Sequence, residues 1–196
     1  MVGKTSVVTP QRFGSGLTYS EYLSQIKVNK DRFEQFYDQC HLTPQDADFF
    51  RKAAKDRNGT AKMLVLGEDW CPDVYRGMPV MARIAEAAGI EMRVFPRDQH
   101  LDIMNEFLNQ GQFLSIPVAV FYTKDHRYIC HWIERPALAN VERVRIQEEV
   151  KRAMPNGDEQ AVRTETRNRT QARQLAWQQE SIREMRQMLA EKVGLK

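Results

Sequence analysis

Cys71 is the residue best placed for covalent chemistry, because of the stretch that holds it, Glu68-Asp69-Trp70-Cys71-Pro72-Asp73-Val74. The apolar run Met63-Leu64-Val65-Leu66 before it has the length of a buried strand. After it, Met78, Met81, Ala82, Ala85 and Ala88 recur at helical spacing within 75–88. The thiol therefore falls on a strand-to-helix turn, where unpaired N–H groups and the helix dipole favour negative charge. That setting predicts a reactive thiol of depressed pKa, the thiolate being the nucleophile. Asp73 works against it by repelling a thiolate, and Arg76, one turn on, offsets Asp73. The alternative reading is an inert turn cysteine.

Trp70-Cys71-Pro72 between a buried strand and a helix resembles the active-site element of the thioredoxin superfamily. Pro79 stands inside the helix where that superfamily has its kinking proline. Ser115-Ile116-Pro117, followed by Val118-Ala119-Val120-Phe121-Tyr122, resembles its cis-proline before an antiparallel strand. The resemblance spans about 60–136. The wording of Trp70-Cys71-Pro72-Asp73 with Met78-Pro79-Val80-Met81-Ala82-Arg83-Ile84-Ala85 is closer to bacterial thioredoxin-like proteins with an N-terminal helical extension and one cysteine. It implies an α/β thioredoxin fold: a mixed central sheet of about four strands, an N-terminal helical extension and a long C-terminal helix. It also implies Cys71 as the catalytic residue, with Trp70, Asp73, Arg76, Ile116 and Pro117 binding substrate in a groove beside it.

Two residues depart from that pattern. Val74 stands where thioredoxins carry the second cysteine of Cys-x-x-Cys, so a dithiol cycle within the motif is impossible. Val65 stands where they keep a buried aspartate as proton acceptor. Of the other thiols, Cys130 lies in the last strand, about three residues back from the end that approaches the turn, or about 10 Å. Bridged α-carbons lie within about 7 Å, so Cys130 reads as structural. Cys40, beside His41, cannot be placed relative to Cys71 from sequence. Metal readings are weak: His41, His100, His126 and His131 are scattered, and Cys130 and His131 are strand neighbours that face opposite ways. Cys71-Pro72-Asp73-Val74 also differs from the Cys-Gly-Phe-Ser of the monothiol glutaredoxins that hold iron–sulfur clusters. No metal and no cofactor is expected.

The elements that position Cys71 follow from caps, breakers and periodicity. Residues 1–16 mix Gly, Ser, Thr and Pro and read as a flexible leader. A domain over 17–153, with its core at about 60–136, begins at a capping box, Thr18-Tyr19-Ser20-Glu21. Leu23 and Ile26, then Phe33, Phe36 and Tyr37, predict two helical pieces broken near Asn29. Thr43-Pro44 opens a third helix over about 44–56 that buries Phe49 and Phe50. Strand 62–67, helix 73–88, strand 91–95 and helix 99–110 form a βαβα unit, with Asp98 capping the second helix. Strands 118–123 and 127–133 form a hairpin about Lys124-Asp125-His126. A helix after Pro136 has Leu138, Val141, Val144, Ile146 and Val150 as its apolar positions. Beyond Pro155-Asn156-Gly157, a separate segment over 154–196 is a helix capped by Asp158, with a stripe of Leu175, Ile182, Met185, Leu189 and Val193. That stripe packs on the chain's own surface or on a second copy in a homodimer.

Composition narrows the partners. The chain has 196 residues, 42% hydrophobic, with 29 basic and 26 acidic residues and a net charge of +3, too small to imply a polyanionic partner. The surplus lies at the end, where 151–196 holds ten basic and six acidic residues. Arg163, Arg167, Arg169 and Arg173 offer a nucleic-acid-facing stripe, but Glu159 and Glu165 intrude and no aromatic lies among them, so a solvated helix face is favoured. Three cysteines show no disulfide framework, and no run approaches a membrane span. The expectation is a cytoplasmic protein with no nucleic acid and no membrane partner. Two functions follow. One is a monothiol oxidoreductase, in which Cys71 exchanges with protein disulfides or a low-molecular-weight thiol and an external thiol resolves the mixed disulfide. The other is a redox-inactive binding module that uses the groove around Trp70 and the cis-proline.

Overall fold

A computed structural model describes residues 6–195. The run Met63-Leu64-Val65-Leu66 forms the middle of β1 (Lys62–Gly67), where all four side chains are fully buried. β1 pairs in parallel with β2 (Glu91–Pro96) and antiparallel with β3 (Val118–Tyr122), which pairs antiparallel with β4 (Tyr128–Ile133). The sheet order is β2-β1-β3-β4, so Val65 lies between Val94 and Ala119 at its centre. Strands buried on both faces need near-continuous apolar sequence, and β1 and β3 have it. The turn between β3 and β4 is made by His126 with φ 66°.

Helix α5 (Pro72–Ala88) links β1 to β2 and ends at Gly89, whose φ of 70° is the left-handed C-terminal cap that glycine favours. Four shorter helices precede the sheet: α1 (Pro10–Gly14), α2 (Tyr19–Gln25), α3 (Lys30–Gln39) and α4 (Pro44–Lys55). Thr18 and Glu21 form the expected capping box, and Thr43 caps α4 as expected. Asn29 breaks the chain between α2 and α3 with φ 59°. Leu17 exchanges hydrogen bonds of 2.9 and 2.7 Å with Val94, covering the free edge of β2. α3 and α4 pack on α5.

Four expectations are corrected by packing that sequence periodicity does not show. Residues 6–16 are no loose leader: Thr9 caps α1, Val8 and Phe13 are buried, and Phe13 meets Tyr122 and His126 edge-on. Five helical residues are too few for a period to be read; residues 1–5 lie outside the described part. The helix expected over 99–110 is a 3-10 turn at Arg97–Gln99 and one turn, α6 (Leu101–Met104). Asp98 does not cap it, because its side chain pairs with Arg97 at 2.7 Å. The chain then reverses through Gln110 and Gly111, both at positive φ, and Asn109 bonds back to Phe113.

The last two corrections concern α7 (Ala137–Ala153) and α8 (Glu159–Val193). α7 buries Ala139, Glu142, Ile146 and Val150, while Leu138, Val141 and Val144 face solvent. The buried row contains a glutamate because Arg173 and Trp177 of α8 donate to it at 2.9 and 2.7 Å. α8 packs on the chain's own surface, one of the two placements expected of its stripe, but with different members. Ile182, Met185 and Leu189 join the common core, Leu175 is exposed, and a polar row of Gln174, Gln178 and Ser181 is buried with Trp177. Gln178 Nε2 donates to the carbonyls of Phe36 and Arg76 at 3.2 and 3.0 Å, tying α8 to α3 and α5. No helix among the described residues is long and apolar enough to cross a membrane.

Candidate functional site

The residue ahead of α5 is Cys71, at the N-cap, with extended backbone (φ −87°, ψ 123°) and Pro72 in the first turn. Its carbonyl accepts from the N–H groups of Val74 and Tyr75 at 3.0 and 3.1 Å. Its side chain is half-buried, and the thiol donates to the carbonyl of Ile116 at 3.8 Å. The Ile116-Pro117 bond is cis, as the resemblance implies. Gly77, one helical turn beyond Asp73, lets α5 approach that loop: a Cβ there would stand 3.1 Å from Pro117 Cγ.

The turn is clamped from both sides. Asp69 Oδ2 accepts from the N–H groups of Lys27 and Val28 at 2.8 and 3.2 Å, and Asn29 Nδ2 donates to the Asp69 carbonyl at 2.8 Å. On the other flank, Glu68 Oε1 accepts from the Asp98 N–H at 2.7 Å. Between the clamps Trp70 stays 51% exposed, its ring 5.4 Å from the Arg97 guanidinium. Arg97 also donates to the Leu114 carbonyl at 2.9 Å, which places the exposed side chains of Leu114 and Phe113 on the loop tethered to that tryptophan's neighbour. Ile116 and Pro117 are themselves buried.

Asp73 and Arg76 are also buried, at 7% and 1% exposure. Arg76 Nη1 donates to Asp73 Oδ1 at 2.7 Å, Arg135 donates to Oδ2 at 3.1 and 2.5 Å, and Arg143 lies 3.7 Å away. Burial raises the Asp73 pKa, but the hydrogen bonds of Arg135 and the charges of Arg76, Arg135 and Arg143 outweigh it and hold the carboxyl below its usual range. Burial pulls the Arg76 pKa down, partly opposed by Asp73. Arg135 and Arg143 are absent from the sequence reading. Arg135 reaches Asp73 because Glu134 turns the chain at φ 67° after β4, a reversal signalled only by the neighbouring Pro136.

The thiol does not have the depressed pKa expected of it. Burial raises it above the ordinary value, the N–H groups of Val74 and Asp73 lower it, the Asp73 carboxylate raises it, and Arg135 lowers it. A half-buried N-cap therefore costs the thiolate more solvation than the helix terminus returns. Val74 and Val65 are both fully buried, so apolar groups occupy the places of a second thiol and a proton acceptor. Cys130 pairs in register with Phe121, five residues along β3 from Ile116 and so roughly 16 Å away. Cys40 lies by Arg83, whose charge acts on it, about 18 Å along α5 from Cys71. Burial pushes the Cys40 thiol up to about 11 and the Cys130 thiol up to about 12.

Comparison with known proteins agrees with this fold. A protein of unknown function from Pseudomonas aeruginosa superposes with a TM-score of 0.62 at 14% identity, over 91% of this chain and 95% of its own. An HIV epitope-scaffold superposes with a TM-score of 0.64, also at 14% identity, over 95% and 99%. At that identity the likeness is one of fold. None of the curated proteins matches. A family model described as thioredoxin matches residues 16–151, which takes in the sheet, α5, the turn at Cys71 and the loop at Pro117, and this chain belongs to that thioredoxin family.

Proposed function

We propose that this protein acts on thiols through Cys71 alone, forming a mixed disulfide that an external thiol resolves. The observation that carries the reading is the thiol's position: at the mouth of α5, half exposed, 3.8 Å from a backbone carbonyl of the Ile116 loop and flanked by a half-exposed Trp70. In the reaction Cys71 loses its proton to solvent, and its sulfur attacks one sulfur of a substrate disulfide. The Cys71–S bond forms, the substrate S–S bond breaks, and the other sulfur leaves as thiolate and takes up a proton. A second thiol, protein-borne or low in molecular weight, then attacks the mixed disulfide, is itself joined to the substrate sulfur, and releases Cys71 as thiol. Backbone groups of Ile116 would pair with an extended peptide, and Trp70, Phe113 and Leu114 would cover its apolar side chains. Asp73 and Arg76 hold the turn in place rather than touch substrate, since both are buried.

The thiol's upward shift sets the pace. At neutral pH most of Cys71 is protonated, so exchange is slow compared with a thiol of depressed pKa, though each thiolate is intrinsically more nucleophilic. The same shift, with Val74 in place of a resolving thiol, favours a second reading: a binding module that keeps the groove without turnover. Insulin reduction with glutathione or dithiothreitol separates the two. Turnover that disappears in Cys71→Ser supports the first, and turnover equal to the uncatalysed rate under both reductants supports the second.

A further inference from the structure

A cleft of about 890 Å³ opens on the side of α5 that faces α3, α7 and α8, and its lining is strongly basic. α7 contributes Arg143, Gln147 and Lys151, each four residues after the last and so on one stripe of the helix. α8 contributes Arg163 and Arg167, again four apart, and α3 contributes Arg32. The one acidic side chain in the lining is Asp73, already shared among the guanidiniums of Arg76, Arg135 and Arg143. Lys151 and Arg167 pair with no acid among the described residues, while Arg163 pairs with Glu159. Two residues of the lining, Arg76 and Gln174, are themselves buried, at 1% and 8% exposure.

A cluster of like charges around a single carboxylate repels itself, and water alone answers that in an open cleft. An anion would do so with charge-assisted hydrogen bonds, to which the forked guanidinium is suited. A lone carboxylate would match one fork. Cations recurring along two helices, over a span from Arg143 to Lys151 of about 12 Å, match a ligand whose negative charges are themselves in a row. We propose that this cleft binds a ligand carrying several adjacent phosphoryl groups, either a nucleoside triphosphate or an inorganic oligophosphate. Arg143, Lys151 and Arg167 hold the phosphoryl oxygens. Cys71 is not in the lining, although its neighbours Pro72 and Asp73 are.

The test is calorimetric titration of the full chain at low salt with ATP and, separately, with sodium tripolyphosphate. Saturable binding of both with similar affinity assigns the phosphate chain alone. Tighter binding of ATP assigns its nucleoside as well. In either case R143A/R167A weakens binding at least about tenfold, and binding weakens further as salt rises. K124A/R127A, which removes two cations from the hairpin turn, and Cys71→Ser both bind as the unaltered chain does. Unchanged thermal unfolding of R143A/R167A shows that the loss is not one of folding, and a K151A/R167A pair reads the same site without Arg143. Absence of saturable binding for both ligands, or an equal loss in K124A/R127A, overturns the proposal.

Discussion

Asp73 Oδ1 lies 2.7 Å from Nη1 of Arg76, three residues on in the same helix, and both side chains are withdrawn from solvent. The pair fixes the first turn of α5 and, through Arg135, the end of β4 against it. Removing one member of a buried pair leaves the other charged and unmatched, which costs roughly 3–5 kcal/mol. Asp73→Asn is therefore expected to lose stability on that scale in urea unfolding, and Arg76→Met to lose less, because it leaves Asp73 still held by Arg135. The folded Asp73 carboxyl titrates below its unfolded value of about 3.9, so its contribution is present above that pH and disappears as pH falls through the folded pKa. Acid unfolding of the unaltered chain should begin below about pH 4, and Asp73→Asn should flatten that limb.

Cys71 should react with iodoacetamide along a pH curve whose inflection lies above the free-thiol value of about 8.5. Asp73→Asn should move the inflection down, since the carboxylate raises the thiol and Arg135 would then act on it unopposed. An inflection well below 8.5 in the unaltered chain would contradict the burial argument. All three thiols titrate higher folded than unfolded, so their contribution is complete below about pH 8.5 and is lost as pH rises through the folded values, about 11 for Cys40 and about 12 for Cys130. Urea midpoints should fall above pH 8.5, and less so in Cys40→Ala.

Leu189 is fully buried, and α8 behaves as part of the core rather than as an appendage. Leu189→Ala should cost about 2–5 kcal/mol, the range for a core leucine. A change within about 0.5 kcal/mol would mean that α8 is a surface helix.

The sheet and α5 were legible in the sequence because each has a local signature, apolar runs of strand length and a helical period ended by Gly89. The capping box at Thr18 and the break at Asn29 were legible for the same reason, whereas the cis bond at Ile116-Pro117 was legible only through the resemblance to thioredoxins. What stayed hidden depends on contacts distant in the chain. Glu142 is buried only because Trp177 and Arg173, from another helix, bond to it. Phe13 reads as part of a loose leader until Tyr122 and His126 receive it. The Cys71 thiol departs from expectation in the sign of its pKa shift, because position at a helix terminus is visible in sequence and the depth of burial is not. Arg135 and Arg143 came to Asp73 from beyond β4, and no spacing within the motif points to them.

Trp70 is half exposed, with the Arg97 guanidinium 5.4 Å over its ring. Trp70→Ala should leave stability within about 0.5 kcal/mol while raising the substrate concentration needed for half-maximal exchange several-fold. Equal losses in stability and capture would assign Trp70 to packing.

The proposed chemistry rests on one thiol, that of Cys71. Incubation of the native chain with glutathione disulfide, read by intact mass and peptide mapping, should give a single adduct at Cys71 that excess thiol reverses, with Cys40 and Cys130 unmodified and Cys71→Ser unlabelled. A native protein that forms no adduct, or forms one that persists in Cys71→Ser, would contradict it.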